Sequence, residues 1–241
     1  GITDEVAALT DYTTAKTGAT TNTLTADGNW SLAVATLDSA LSAGVRLAGA
    51  LTVTGITSGS ETSALTAYTT AKTGATTNTL TADGTWSVAA TALDTALTAG
   101  VRLVGALTVT GIASGNETAA LAAYTDALTG STSVTLTASD TNWSVAAATL
   151  DTALAAAVRL NGDLTVTDIA SDDEANASTT YSKTATGASN VTLTASDGTW
   201  SVAVSALNTD LGNDIKYAGA LTVTGITDEV AALTDYTTAK T

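Results

Sequence analysis

The sequence predicts an α/β chain, a tandem-repeat βα solenoid with short parallel strands and Ala-rich helices. Three observations predict it: a recurring heptapeptide, a finer beat of about 28 residues within that repeat, and a local alternation between strand and helix spacing. The heptapeptide Ala50-Leu51-Thr52-Val53-Thr54-Gly55-Ile56 returns at 106–112, at 163–169 with Asp168 in place of Gly, and at 220–226. It sets block boundaries at 1–54, 55–110, 111–167 and 168–224, which contain 54, 56, 57 and 57 residues. Residues 225–241 are identical to residues 1–17 and start a fifth block. A higher-order repeat that continues past this window is the expectation.

Each block splits in two. Leu24, Leu51, Leu80, Leu107, Leu136, Leu164, Leu193 and Leu221 each open a Leu-Thr pair, at spacings of 27, 29, 27, 29, 28, 29 and 28. That beat holds one strand, one helix and two turns. Val101 to Val109 places aliphatics or Gly at alternate positions, and Val134, Leu136 and Ala138 alternate with Thr, which is strand spacing. Trp30, Val34, Leu37 and Leu41 follow at helical spacing, with Gly44 as the cap; Trp200, Val204, Leu207 and Leu211 run likewise to Gly212.

After the second strand type, Ser58 with Glu61, Ser114 with Glu117 and Ser171 with Glu174 read as capping boxes. Leu65, Tyr68 and Ala71 then carry a helix to Gly74, and the Ser/Thr-rich version at 175–186 is the weakest of these helices. A second architecture stays open. Asp83-Gly84 also suits a two-residue hairpin turn with Trp86 and Val88 facing inward, and that alternative gives an all-β repeat array.

Composition bounds the function. The 241 residues include no Cys, His, Met, Pro, Phe or Gln, and aromatics are 4% against 44% hydrophobic residues. A core of small aliphatic pieces gains little per residue, so many regular contacts must add up. The net charge of −15 opposes binding to nucleic acid, whose phosphates demand clustered cations. No apolar run reaches the ~18 residues of a membrane span, so membrane insertion is not expected.

In composition and period the chain resembles the giant Ala/Thr/Asp-rich tandem-repeat proteins of bacterial surfaces and extracellular filaments. There, strands such as LTVTGI alternate with stretches such as ETAALAAYTDALTG. The Asp-Gly-Thr-Trp-Ser-Val run at 83–88 and 197–202 is also similar to bacterial Ig-like adhesin repeats, although those repeats are longer than 57 residues. Both resemblances imply a secreted, surface-associated protein. The expected function is structural: a filament, sheath or surface-layer polymer that self-associates and is extracellular or at the cell surface. The alternative is the repeat shaft of an adhesin, and behind it an ice-binding solenoid with a flat Thr array.

Catalysis is not expected, because His and Cys are missing and the charges tile the repeat instead of breaking it once. Arg46, Arg102, Arg159 and Lys216 hold one repeat position, and Lys16, Lys72, Lys183 and Lys240 the other. Asp38, Asp94 and Asp151 recur eight residues before the arginines and are their candidate inter-repeat partners. The repeat core is assigned to Trp30, Trp86, Trp143 and Trp200 with Leu51, Leu107, Leu164 and Leu221. No cofactor is required. Asp172, Asp173 and Glu174 are candidate calcium ligands, whereas Asp27, Asp83 and Asp197 precede Gly as turn residues do. Asn29, Asn116, Asn142, Asn176 and Asn190 begin glycosylation sequons.

Overall fold

Buried side chains of neighbouring strands lie on a shared face, and the strands that carry them pair in parallel. Leu24 registers with Leu47, Leu80 with Leu103, and Leu193 with Tyr217. A computed structural model of the chain describes Ile2, residues 4–228, Ala231, Ala232 and Tyr236. Most of the fifth block, Lys240 included, lies outside the described residues.

The first block forms α1 (Glu5–Asp11), α2 (Thr14–Thr17), β1 (Asn22–Thr25), β2 (Trp30–Ala33), α3 (Val34–Ser42), β3 (Val45–Ala48) and β4 (Ala50–Ile56). The second repeats that order as α4 (Glu61–Ala67), α5 (Thr70–Thr73), β5 (Thr77–Ala82), β6 (Trp86–Ala89), α6 (Ala90–Thr98), β7 (Val101–Val104) and β8 (Ala106–Ile112). In the third, β9 (Ser133–Ala146) and β10 (Val158–Ile169) are long strands, flanked by α7 (Glu117–Ala123), α8 (Asp126–Thr129) and α9 (Ala147–Ala155). The fourth has α10 (Glu174–Thr180), α11 (Lys183–Thr186), β11 (Asn190–Ala203), α12 (Val204–Gly212) and β12 (Ile215–Thr224).

The chain divides into two compact units, Gly1–Thr110 with Asp126–Val134, and Gly111–Thr125 with Thr135–Thr241. In the first, β2, β4, β5 and β7 lie side by side, β1 lies beside β3, and β6 beside β8. In the second, β9, β10, β11 and β12 are neighbours in chain order. The mixed α/β class is therefore established and the all-β array is not adopted. The Asp83-Gly84 hairpin is not formed either, since β5 and β6 each pair in parallel with a later strand. A parallel neighbour needs a crossover, and the helices supply it.

Along β3 and β4, Val45, Leu47, Leu51 and Val53 are buried, whereas Arg46, Ala48, Thr52 and Thr54 are half-exposed. Helix α3 packs on β3 and β4 through its buried Leu37 and Ala40. Three local expectations need correction. Trp30, Trp86, Trp143 and Trp200 sit on strands, and the helix begins only four residues later. Inward positions at period two followed by a helix reproduce the spacing 30, 34, 37, 41 that reads as helix alone.

The capping boxes are not formed as written. The caps are Ser60, Asn116 and Asp173, none with a side-chain cap bond, and the glutamate is the first helical residue. Its carboxylate still accepts a turn amide, from Gly59 to Glu61 and from Gly115 to Glu117, each at 2.7 Å. Finally, the helix from Glu61 does not run to Gly74. Tyr68 leaves helical geometry at φ −108° and ψ 45°, and Thr69 starts α5 anew. Gly74 does close α5, with φ 83° and its N–H on the Thr70 carbonyl.

Candidate functional site

Among the described residues the special side chains recur in phase, and the furrow between α3 and α4 is lined by both Asp38 and Tyr68. The buried indole of each Trp donates from Nε1 to a backbone carbonyl eighteen residues on: Trp30 to Ala48, Trp86 to Val104 and Trp200 to Ala218 at 3.0 Å, and Trp143 to Asn161 at 3.1 Å. Each acceptor precedes a glycine of positive φ, namely Gly49, Gly105, Gly219 and Gly162. That kink interrupts the strand ladder, and the indole satisfies a carbonyl there. Leu51 and Leu107, register partners of Trp30 and Trp86, are buried, as is Leu164. Leu221 is only half-buried, a correction to its core assignment: among the described residues β12 has one paired neighbour, β11.

Among the described residues Arg46, Arg102 and Arg159 bond backbone carbonyls. Arg46 donates to the carbonyls of Leu41 and Val45 at 3.3 and 2.8 Å, Arg102 to those of Leu97 and Val101, and Arg159 to those of Leu154 and Val158. Leu41, Leu97 and Leu154 lie in the last turn of their helices, where carbonyls lack helical partners and a cation suits the dipole. The guanidinium thus stitches a helix end to the strand that follows. Lys216, fourth in this series, is exposed on β12.

The aspartates face tyrosines instead. Tyr68 donates its hydroxyl to Asp38 at 2.8 Å, thirty residues back, and Tyr181 bonds Asp151 at the same separation. Tyr236 reaches Asn208, the equivalent of those aspartates. Asp94 occupies the same helical position on α6 and is exposed. Burial, and then the neighbouring carboxylate, holds the Tyr68 and Tyr181 hydroxyls in their protonated form well above the ordinary tyrosine range. These contacts tie the helix after one strand to the helix after the next. The spacing of Tyr and Asp in phase was the signal for them, and the charge of Arg masked it.

Of the second cation series, Lys16 pairs with Asp11 at 3.2 Å and Lys183 with Asp214 at 2.8 Å, both in solvent, where such pairs add little. Asp172, Asp173 and Glu174 follow one another in the turn entering α10, and among the described residues no three carboxylates converge as a metal would need. Asp197 accepts the Thr199 backbone N–H at 2.8 Å, which holds the register irregularity of β11 before Trp200 and lowers its own pKa. The five sequon asparagines are all exposed.

Thr52 and Thr79 register across β4 and β5 on the outer face, but the row continues into Arg102, and Thr192 likewise meets Lys216. Cations therefore interrupt the Thr array. No protein-family model, curated protein or solved structure matches the chain. Two further furrows lie between neighbouring helices. The one between α1 and α3 is lined by Leu9, Thr10, Ala35, Thr36, Ser39 and Ala40, without a titratable side chain. The one between α7 and α9 is lined by Leu121, Ala122, Thr125, Ala148, Thr149 and Thr152, among others, again without one. Neither offers an acid, a base or an activated nucleophile.

Proposed function

We propose that this is a non-catalytic structural protein, a βα repeat solenoid that self-associates into an extracellular filament, sheath or surface layer. One observation carries the reading: the same part-buried hydrogen bond, indole to carbonyl at a separation of eighteen residues, recurs in all four blocks. A catalytic site concentrates unlike residues at one place, whereas a load-carrying array repeats one contact along its length.

Self-association has a structural template. The pair β4 with β5 joins ALTV at 50–53 to TNTL at 77–80. The same two sequences recur at 220–223 and 21–24, so a second copy can offer contacts the chain already uses. With a charge of −15, screening by salt favours assembly.

Light scattering of the 241-residue chain across concentration and salt, with negative-stain microscopy, tests the proposal. Filaments that grow with concentration and persist in physiological salt are expected. A monomer under every condition overturns it.

A further inference from the structure

The fourth block replaces three buried apolar positions by a polar cluster. The fifth residue of the helix that opens each block is Leu9, Leu65 and Leu121, then Ser178. The seventh residue of the long helix is Ala40, Ala96 and Ala153, then Asp210. The strand position after the arginine is Leu47, Leu103 and Leu160, then Tyr217. Registers confirm the last equivalence, because Leu80 faces Leu103 as Leu193 faces Tyr217.

The three replacements meet. Tyr217 donates its hydroxyl to the buried carboxylate of Asp210, Ser178 bonds the same hydroxyl, and the ring edge rests on Trp200 at a centroid distance of 4.8 Å. Asp210 and Tyr217 are 6% and 7% exposed, close to the 3% or less of the alanines and leucines they replace. Volume is compensated as well: Leu to Ser empties the space that the longer tyrosine enters.

We infer that Ser178, Asp210 and Tyr217 form a register key that makes the fourth block pair with itself and with no other block. Its need follows from the sequence, because the fourth-block segment 220–226 is identical to 50–56 and 106–112 and offers the same ladder. Near-identical repeats misregister and swap, since a wrong partner buries the same apolar face. The key removes that degeneracy for the fourth block. If α12 and β12 docked on β5, Tyr217 would meet Leu65, which crowds the ring and offers its hydroxyl no hydrogen bond. If α6 and β7 docked on β11, Ser178 would face Leu103 across a void. Mismatched pairings of the fourth block leave buried polar groups unpaired or a cavity, and its native pairing leaves neither.

The chain has no cysteine, so engineered disulfides can read the register. Thr192 registers with Lys216, and Thr79 registers with Arg102. In the native background, T192C/K216C should cross-link on oxidative refolding, and T79C/K216C should stay at background. Adding S178L/D210A/Y217L restores the pattern of the other blocks and should raise the 79–216 cross-link several-fold, within a chain or between copies. A reciprocal variant, L65S/A96D/L103Y, leaves the fourth block intact and should raise it too by giving the second block the same key. The inference is overturned if the 79–216 cross-link remains at background in whichever of these variants fold, as judged by circular dichroism, or if the native background already forms it.

Discussion

A Cβ built on Gly162 would lie 2.2 Å from the carbonyl oxygen of Thr141. The third block carries one residue more than the second in the run before its tryptophan, TASDTNW against TADGTW, and Thr141 in that run takes φ 61°. Gly105, the counterpart of Gly162 in the second block, also has positive φ but meets nothing within 4 Å. Gly105→Ala should lower stability by ~1–3 kcal/mol through backbone strain alone. Gly162→Ala must add a clash with a backbone oxygen and should lower it clearly further. Thermal melts of the two variants decide this, and equal melting temperatures would contradict the close approach.

Trp86 combines full burial with a bond to the Val104 carbonyl. Trp86→Ala should cost about 3–5 kcal/mol, the range for emptying a buried aromatic site. Trp86→Phe should lose less, keeping much of the packing while dropping the indole donor. With all four indoles buried, fluorescence of the native chain should lie to the blue of free indole and shift red on unfolding.

Ser131 presents the opposite case. It is 4% exposed, and its hydroxyl is the buried side-chain oxygen without a hydrogen-bond partner among the described residues. The equivalent residues Ala75 and Ala188 carry no hydroxyl and are equally buried. Ser131→Ala should therefore stabilise the protein by about 1 kcal/mol, by removing an unsatisfied polar group. A denaturant titration showing a lower midpoint would contradict it.

Alkali should weaken the fold. Tyr68, Tyr181 and Tyr217 all have hydroxyl pKa values raised by burial and then by a bonded aspartate. In the unfolded chain a tyrosine ionises near pH 10 (about its reference value), whereas in the folded chain these stay protonated. Their contribution is fully present below that pH and is lost as the pH climbs toward the folded values. Stability measured by denaturant between pH 8 and about 11.5 should be level and then decline. In Tyr68→Phe the decline should be shallower by up to one proton's worth. A flat profile would show that the tyrosines ionise equally in both states.

The sequence alone pointed to an α/β class with parallel strands, beside an all-β alternative, and to the inward positions of Leu103, Leu107, Val134 and Leu136, because burial on a strand is local and periodic. It also located the glycine stop at Gly74. What it could not determine was partnership. Arg46 lies eight residues from Asp38 in the chain, yet its described bonds go to the carbonyls of Leu41 and Val45, and Asp38 accepts a bond from Tyr68, thirty residues on. Trp30 sits where helical spacing pointed, but on a strand, held by a carbonyl eighteen residues away. Such choices depend on how far one strand-and-helix step carries the chain and on which polar groups that step leaves unpaired. Those distances exist only once the strands have stacked, so the tertiary structure decided them.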